Sequence, residues 1–180
     1  MYEKEIEIPD GVNAEVMGYT VKISGGKGQL RREFKGVFDV KIEKSEDGKK
    51  IKVSSESDDR KKKASIGSII AHIRNMIHGV REGYTAKLKV IYSHFPVTVK
   101  VEKDKVIIQN FLGEKTSRAA RIVGNDTKVG ISGADVTVTG TDIEAVGQTA
   151  ANMETATKIK KHDRKVFQDG IYITEKPRGK

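Results

Sequence analysis

The chain of 180 residues has no cysteine, so neither a disulfide framework nor a thiolate metal site can be built, a composition that suits an intracellular protein. Nor does any apolar run approach the roughly 18–20 residues that a membrane-spanning helix needs. The opening stretch MYEKEIEIPD is acidic and polar, unlike a signal peptide. These absences predict a soluble, cytoplasmic chain with no membrane partner. Aromatic residues are also scarce, at 6%. Phe167 and Tyr172, near the C-terminus, are placed either to stack on a base or to be buried. The pattern around Ile171 and Ile173 favours burial in a last strand.

A convergent catalytic set is missing too. His72 and His78 are six residues apart, about 120° around a helix, so they form no i, i+4 metal pair. His72 is expected on the helix's outer side and His78 at its end. His94 and His162 have no carboxylate or histidine at metal-motif spacing, and no G-x-S-x-G elbow is present. Asp58-Asp59 reads as a helix start. The chain is expected to be no enzyme, with no metal, cofactor or small-molecule substrate.

One stretch invites a nucleotide: SGGKGQL, residues 24–30. A phosphate-binding loop reads G-x-x-x-x-G-K-[ST], with the hydroxyl after the lysine holding magnesium. Here Gly28 follows Lys27, no glycine lies five residues before Gly26, and an extended segment follows instead of a helix. A G-x-G-x-x-G fingerprint fails at Arg31. Strand, glycine turn, strand is a β-hairpin, with glycines supplying positive φ. Lys27, at its tip, is left open as a phosphate contact.

The remaining pattern is given twice. Phe38, Val40 and Ile42 alternate with polar residues, Asp47-Gly48 turns the chain, and Ile51 and Val53 complete a hairpin. Ile66, Ile69, Ile70, Ile73, Met76 and Ile77 then form one helical stripe, ended by Gly79 and Gly83. After Gly83 alternation resumes over residues 84–92, 97–101 and 106–108, with shorter strands at Val129–Ile131 and Val136–Val138. Thr141-Asp142-Ile143-Glu144 reads as a capping box, with Thr141 as the cap. Ile143, Val146, Ala150 and Met153 repeat Ile66, Ile69, Ile73 and Met76 at an offset of 77, and residues 20–23 echo residues 98–101 at 78. The fold class predicted is α+β: two tandem duplicated domains, residues 1–81 and 82–180, each an antiparallel sheet closed by one helix.

Lys and Arg number 34 against 25 Asp and Glu, a net charge of +9, which favours a polyanionic partner. The second copy continues past Ile159 into a basic C-terminal extension. From residue 158 to 180, Lys158, Lys160, Lys161, Arg164, Lys165, Lys176, Arg178 and Lys180 face only three acids, a net +5. That extension reads as a contact arm. Arg60, Lys61, Lys62 and Lys63 open the first helix, where the macrodipole repels cations. Either that end is simply solvated, or a polyanion or acidic neighbour sits there.

Four motifs in this order, IPDGV at residues 8–12, SGGKGQL at 24–30, NFLGEK at 110–115 and FQDGIY at 167–172, resemble the universal large-subunit ribosomal protein L6 family in its archaeal form, related to eukaryotic L9. The resemblance spans essentially the whole chain. The family's Gly-Pro-Lys-Gly turn has Gly26 in place of proline. Its Gly-Lys-Gly-rich bacterial tail is replaced at residues 162–170, so bacterial contact residues do not transfer. The resemblance implies a ribosomal structural protein that binds 23S rRNA near the sarcin–ricin loop, at the factor-binding region by the stalk base, beside neighbouring large-subunit proteins. It also implies that the second domain makes most of the RNA contact. Lys115 and Arg118 thereby join the rRNA-binding candidates Lys158, Lys160, Lys161, Arg164, Lys165, Lys176 and Arg178, touching phosphate with little base readout. The alternatives are a free-standing basic RNA-binding regulator or chaperone, and a module for an acidic protein partner.

Overall fold

The structure is a computed structural model that describes residues 2–34, 40–45, 47–57, 59–160, 163 and 165–178. Phe38 and Asp58 lie outside the described residues. The chain divides into two compact units, residues 1–83 and 84–180. Among the described residues, no helix is long and apolar enough to cross a membrane.

In the first unit, β1 (Tyr2–Glu7), β2 (Asn13–Met17), β3 (Thr20–Gly25), β4 (Gly28–Glu33), β5 (Val40–Lys44) and β6 (Lys50–Ser55) precede one helix, α1 (Arg60–Arg81). The strands form two antiparallel sheets, ordered β2-β3-β4 and β1-β6-β5. The predicted stripe of α1 is buried, and it shares one core with Val21 and Ile23 of the first sheet and Ile51 and Val53 of the second. One helix thus covers both sheets, where the sequence reading expected a single sheet.

The second unit holds β7 (Tyr84–Ile91), β8 (Thr98–Glu102), β9 (Lys105–Gln109), a 3-10 turn at Phe111–Gly113, β10 (Arg118–Arg121), β11 (Lys128–Ser132), β12 (Asp135–Gly140), α2 (Ile143–Ala156) and β13 (Gly170–Glu175). Its sheets run β8-β9-β10 and β11-β12-β7-β13. Strand for strand this repeats the first unit: β5-β6-β1 corresponds to β11-β12-β7, and β2-β3-β4 to β8-β9-β10. The duplication is therefore topological as well as sequential, and β13 is the addition.

The topology corrects several details. It matches β3 with β9 and β2 with β8, so the echo of residues 20–23 in 98–101 aligned the wrong strands. Alternating Val and Lys recurs on any half-buried strand and carries no register of its own. The helix match does hold: Val146, Ala150 and Met153 are buried like their counterparts. Its offset of 77 is shorter than the 85 that separates the starts of β6 and β12, because α1 begins well before Ile66 while α2 begins at Ile143. The basic opening of α1 has no counterpart in α2. Asp142, not Thr141, caps α2, its Oδ1 accepting from the Glu144 amide at 2.9 Å. The cap is thus displaced by one residue and the predicted box is not formed, since Ala145 stands three residues after Asp142; Thr141 Oγ1 is buried without a hydrogen bond. His72 is half-buried, its ring 6.2 Å from that of Phe34, and not on the outer side. Strands β1 and β10 escaped the pattern because they carry too few apolar residues to alternate visibly; β2 escaped it although Ala14 and Val16 alternate, because the run is only five residues long.

The glycine stretch is the β3–β4 hairpin, with Gly25 opposite Gly28 and Gly26-Lys27 as its loop. Of its three glycines only Gly28 takes positive φ, at +151°. Gly25 serves differently. A Cβ there would stand 2.9 Å from Val80 O and Cγ2, because the hairpin tip rests on the end of α1, where the Lys27 amide donates to Val80 O at 2.8 Å. Gly25→Ala should therefore lift the tip from the helix and cost roughly 1–3 kcal/mol. Gly26→Ala, which meets nothing within 4 Å, should be close to neutral; urea unfolding of both variants checks the contrast.

Candidate nucleic-acid interface

Three loops of the second unit converge at one corner: residues 92–97 after β7, the NFLGEK loop at 110–115, and the tail at 165–170. Their closeness follows from hydrogen bonds between residues far apart in the chain. The middle loop is tightly wound, with Asn110, Leu112 and Gly113 all at positive φ, +58°, +51° and +75°. Such backbone persists only where surroundings hold it. Here Phe111 is plugged into the core at 1% exposure, Asn110 Nδ2 donates to Pro96 O at 3.0 Å, and Gly113 packs under the Phe95 ring.

Arg118 locks this loop to the end of α2. Its Nε and Nη2 donate to the two carboxylate oxygens of Glu114 at 2.8 and 2.7 Å. Nη1 donates to the carbonyls of Ala156 and Lys158 at 2.8 and 3.2 Å, and the guanidinium lies 4.5 Å from the centre of the Phe111 ring. A planar fork with five donors can make all these contacts at once. They also satisfy helix-end carbonyls that would otherwise be orphaned. Arg118, expected as an RNA contact, is thus engaged inside the protein.

The tail is held by Asp169, whose side chain is fully buried. One oxygen accepts from the Ser93 and His94 amides at 3.2 and 3.4 Å. The other lies 3.1 Å from His94 Nδ1, which must carry the proton because an ionised carboxylate only accepts. The opposite partner of His94 is Phe167, stacked with ring centres 4.5 Å apart. The sequence reading found no carboxylate for His94 because Asp169 stands 75 residues away. Burial pushes the Asp169 carboxyl up, but the His94 side-chain bond and the two amides outweigh it and hold the group below its ordinary value. Its folded pKa is thus depressed. The tie contributes full stability above the unfolded value of about 4 and loses it as pH falls through the lower folded value. Asp169→Asn should cost about 1–3 kcal/mol at pH 7 and flatten the acid limb of the unfolding free energy measured against pH.

Among the described residues, Lys115, Lys158, Lys160 and Lys165, on these segments or just after α2, are exposed, and so are Tyr92, Phe95 and Val166 at 49%, 44% and 62%. Lys161 and Arg164 lie outside the described residues. Lys176 and Arg178 do not join the corner. Strand β13 enters the sheet at Gly170 opposite Ile91 and reaches Glu175 opposite Lys87, roughly 16 Å further along. There Lys87 bonds Glu175 at 2.7 Å, and Lys87 first, with Arg178 more weakly, holds the Glu175 carboxyl below its ordinary value.

The extension is therefore only partly an arm, since Gly170–Glu175 within it form a strand with Ile171 in the core. Tyr172, expected to be buried, is 41% exposed; strand alternation turns it away from Ile171 and Ile173, and its hydroxyl donates to Gln168 O at 3.0 Å. Lys27 is exposed at its hairpin tip. Among the described residues, no three His, Asp or Glu side chains gather as a metal-ligand set. What the corner presents is positive charge and a few apolar rings on a braced frame, suited to phosphate contact and shape recognition.

The sequence profile of the family described as Ribosomal protein L6 matches residues 8–83 and again residues 95–170, one match within each unit. The chain is similar to the large ribosomal subunit protein uL6 of Staphylothermus marinus, 52% identical over 96% of this chain and 93% of that protein. It is 51% identical to the protein of that name from Sulfurisphaera tokodaii, over 98% and 92% of the two chains, and 51% identical to that from Methanocella arvoryzae, over 96% of each. A profile that matches twice in sequence, on two units of one topology, and relatives that are half identical over nearly the whole length agree on one assignment: the chain belongs to the ribosomal protein L6 family, with archaeal members among its relatives.

Proposed function

We propose that this chain is a structural constituent of the large ribosomal subunit and that its second unit holds ribosomal RNA through the three-loop corner. The observation that carries the reading is the similarity, over nearly the whole chain, to proteins named for the large ribosomal subunit. Lys115, Lys158, Lys160 and Lys165 supply phosphate contacts, and Lys161 and Arg164 extend the run in sequence. Lys176 and Arg178 make a separate contact from the far end of β13. Arg118 and Asp169 position the loops and touch no RNA. The RNA is 23S rRNA near the sarcin–ricin loop, at the factor-binding region by the stalk base, with other large-subunit proteins alongside. The work is binding, not catalysis, and its place is the ribosome in the cytoplasm.

The direct test is sedimentation of a cell lysate in high salt. The chain should travel with the large subunit. A chain left in the supernatant would favour a free-standing RNA-binding regulator.

A further inference from the structure

Internal duplication supplies a comparison within the molecule. In the second unit, β7 is covered on both edges, by β12 and by β13. Its counterpart β1 pairs only with β6 among the described residues, so its other edge is open. The Ile8 amide donates to Lys49 O at 2.8 Å. By the alternation of an antiparallel ladder, the backbone groups of Tyr2, Lys4 and Ile6 then point to β6, and those of Glu3, Glu5 and Glu7 point outward. These three side chains share one sheet face and are exposed. They bridge to the next strand through Lys52–Glu3 at 2.8 Å, Lys50–Glu5 at 3.4 Å and Lys50–Glu7 at 3.9 Å.

We propose that the open edge of β1 receives one additional β-strand from a partner protein whose alternate residues are lysine or arginine, as β13 covers β7 in the second unit. Backbone pairing supplies the attachment and the alternate side chains supply the selection. Three glutamates against two lysines leave this face of the open edge net negative, which disfavours RNA phosphates and the same edge of a second copy of this chain. The glutamates accept a basic strand, whose cations would face them across the new pairing. The charged edge thereby also deters unsuited strands. This contact is independent of the RNA reading of the second unit, and its test contains no RNA.

The probe is a synthetic peptide alternating Lys and Val, added to the full chain and read by amide hydrogen exchange. The Glu3, Glu5 and Glu7 amides should gain protection, and a Glu-Val peptide should bind roughly tenfold more weakly or worse. Glu5→Pro removes an outward donor without touching a bond to β6, and it should abolish the protection while circular dichroism is unchanged. Glu3→Lys/Glu5→Lys/Glu7→Lys should reverse the preference between the peptides, which keeps the idea testable if the proline variant fails to fold. A Lys-Val peptide N-methylated at alternate amides keeps its charge but cannot pair, so it should not bind. Equal binding of that peptide, protection elsewhere on the chain, or pairing of two copies through β1 would each overturn the proposal.

Discussion

Glutamine in place of Lys115, Lys158, Lys160 and Lys165 together should weaken binding to a large-subunit rRNA fragment on the order of a hundredfold at physiological salt. Each phosphate contact releases counterions, so the fall of log K with log salt should flatten by about 3 for four contacts. The change should leave the fold intact, because all four side chains are exposed. Arg60, Lys61, Lys62 and Lys63 provide the control: the same number of charges, at the start of α1 in the first unit. Glutamine there should cost less affinity, although Lys63 lies 5.3 Å from the Tyr2 ring and stability will fall slightly. Equal losses from the two clusters would mean that the net charge of +9 acts diffusely. A larger loss from the α1 cluster would move the RNA contact to the first unit.

Arg118→Ala should destabilise the second unit by about 2 kcal/mol in chemical unfolding. It removes a bidentate partner of the Glu114 carboxylate and the donor to the Ala156 and Lys158 carbonyls at the end of α2. Arg118→Lys should not restore the loss, since an ammonium cannot chelate both oxygens of Glu114 while reaching two carbonyls. RNA affinity should fall as the NFLGEK loop loosens, with the salt slope unchanged, because Glu114 already neutralises this charge. A slope reduced by about one with stability intact would instead make Arg118 a phosphate contact.

Much of this molecule is written in local pattern. The helix stripes at Ile66 and Ile143, the hairpin at Asp47-Gly48, and the duplication itself are legible because periodicity and turn chemistry depend on neighbouring residues. The absence of a phosphate-loop hydroxyl after Lys27 is equally local, and so is the concentration of basic residues beyond Ile159. Strands such as YEKEIE at residues 2–7 were not legible, since a strand with few apolar residues is defined by what it pairs with.

The candidate site lies mostly on the other side of that line. Arg118 and Lys165 look alike in sequence as basic residues in polar segments, yet one is spent on Glu114 and the end of α2 while the other is exposed. Only the packing that brings Glu114, Ala156 and Lys158 to one guanidinium distinguishes them. His94 looked solitary until the sheet laid β13 beside β7 and carried Asp169 across 75 residues to its ring. The sequence by itself determined which segments bury an apolar face and where positive charge accumulates. Tertiary structure decided which charges are left for a partner, because whether a donor is free depends on groups that chain proximity does not specify.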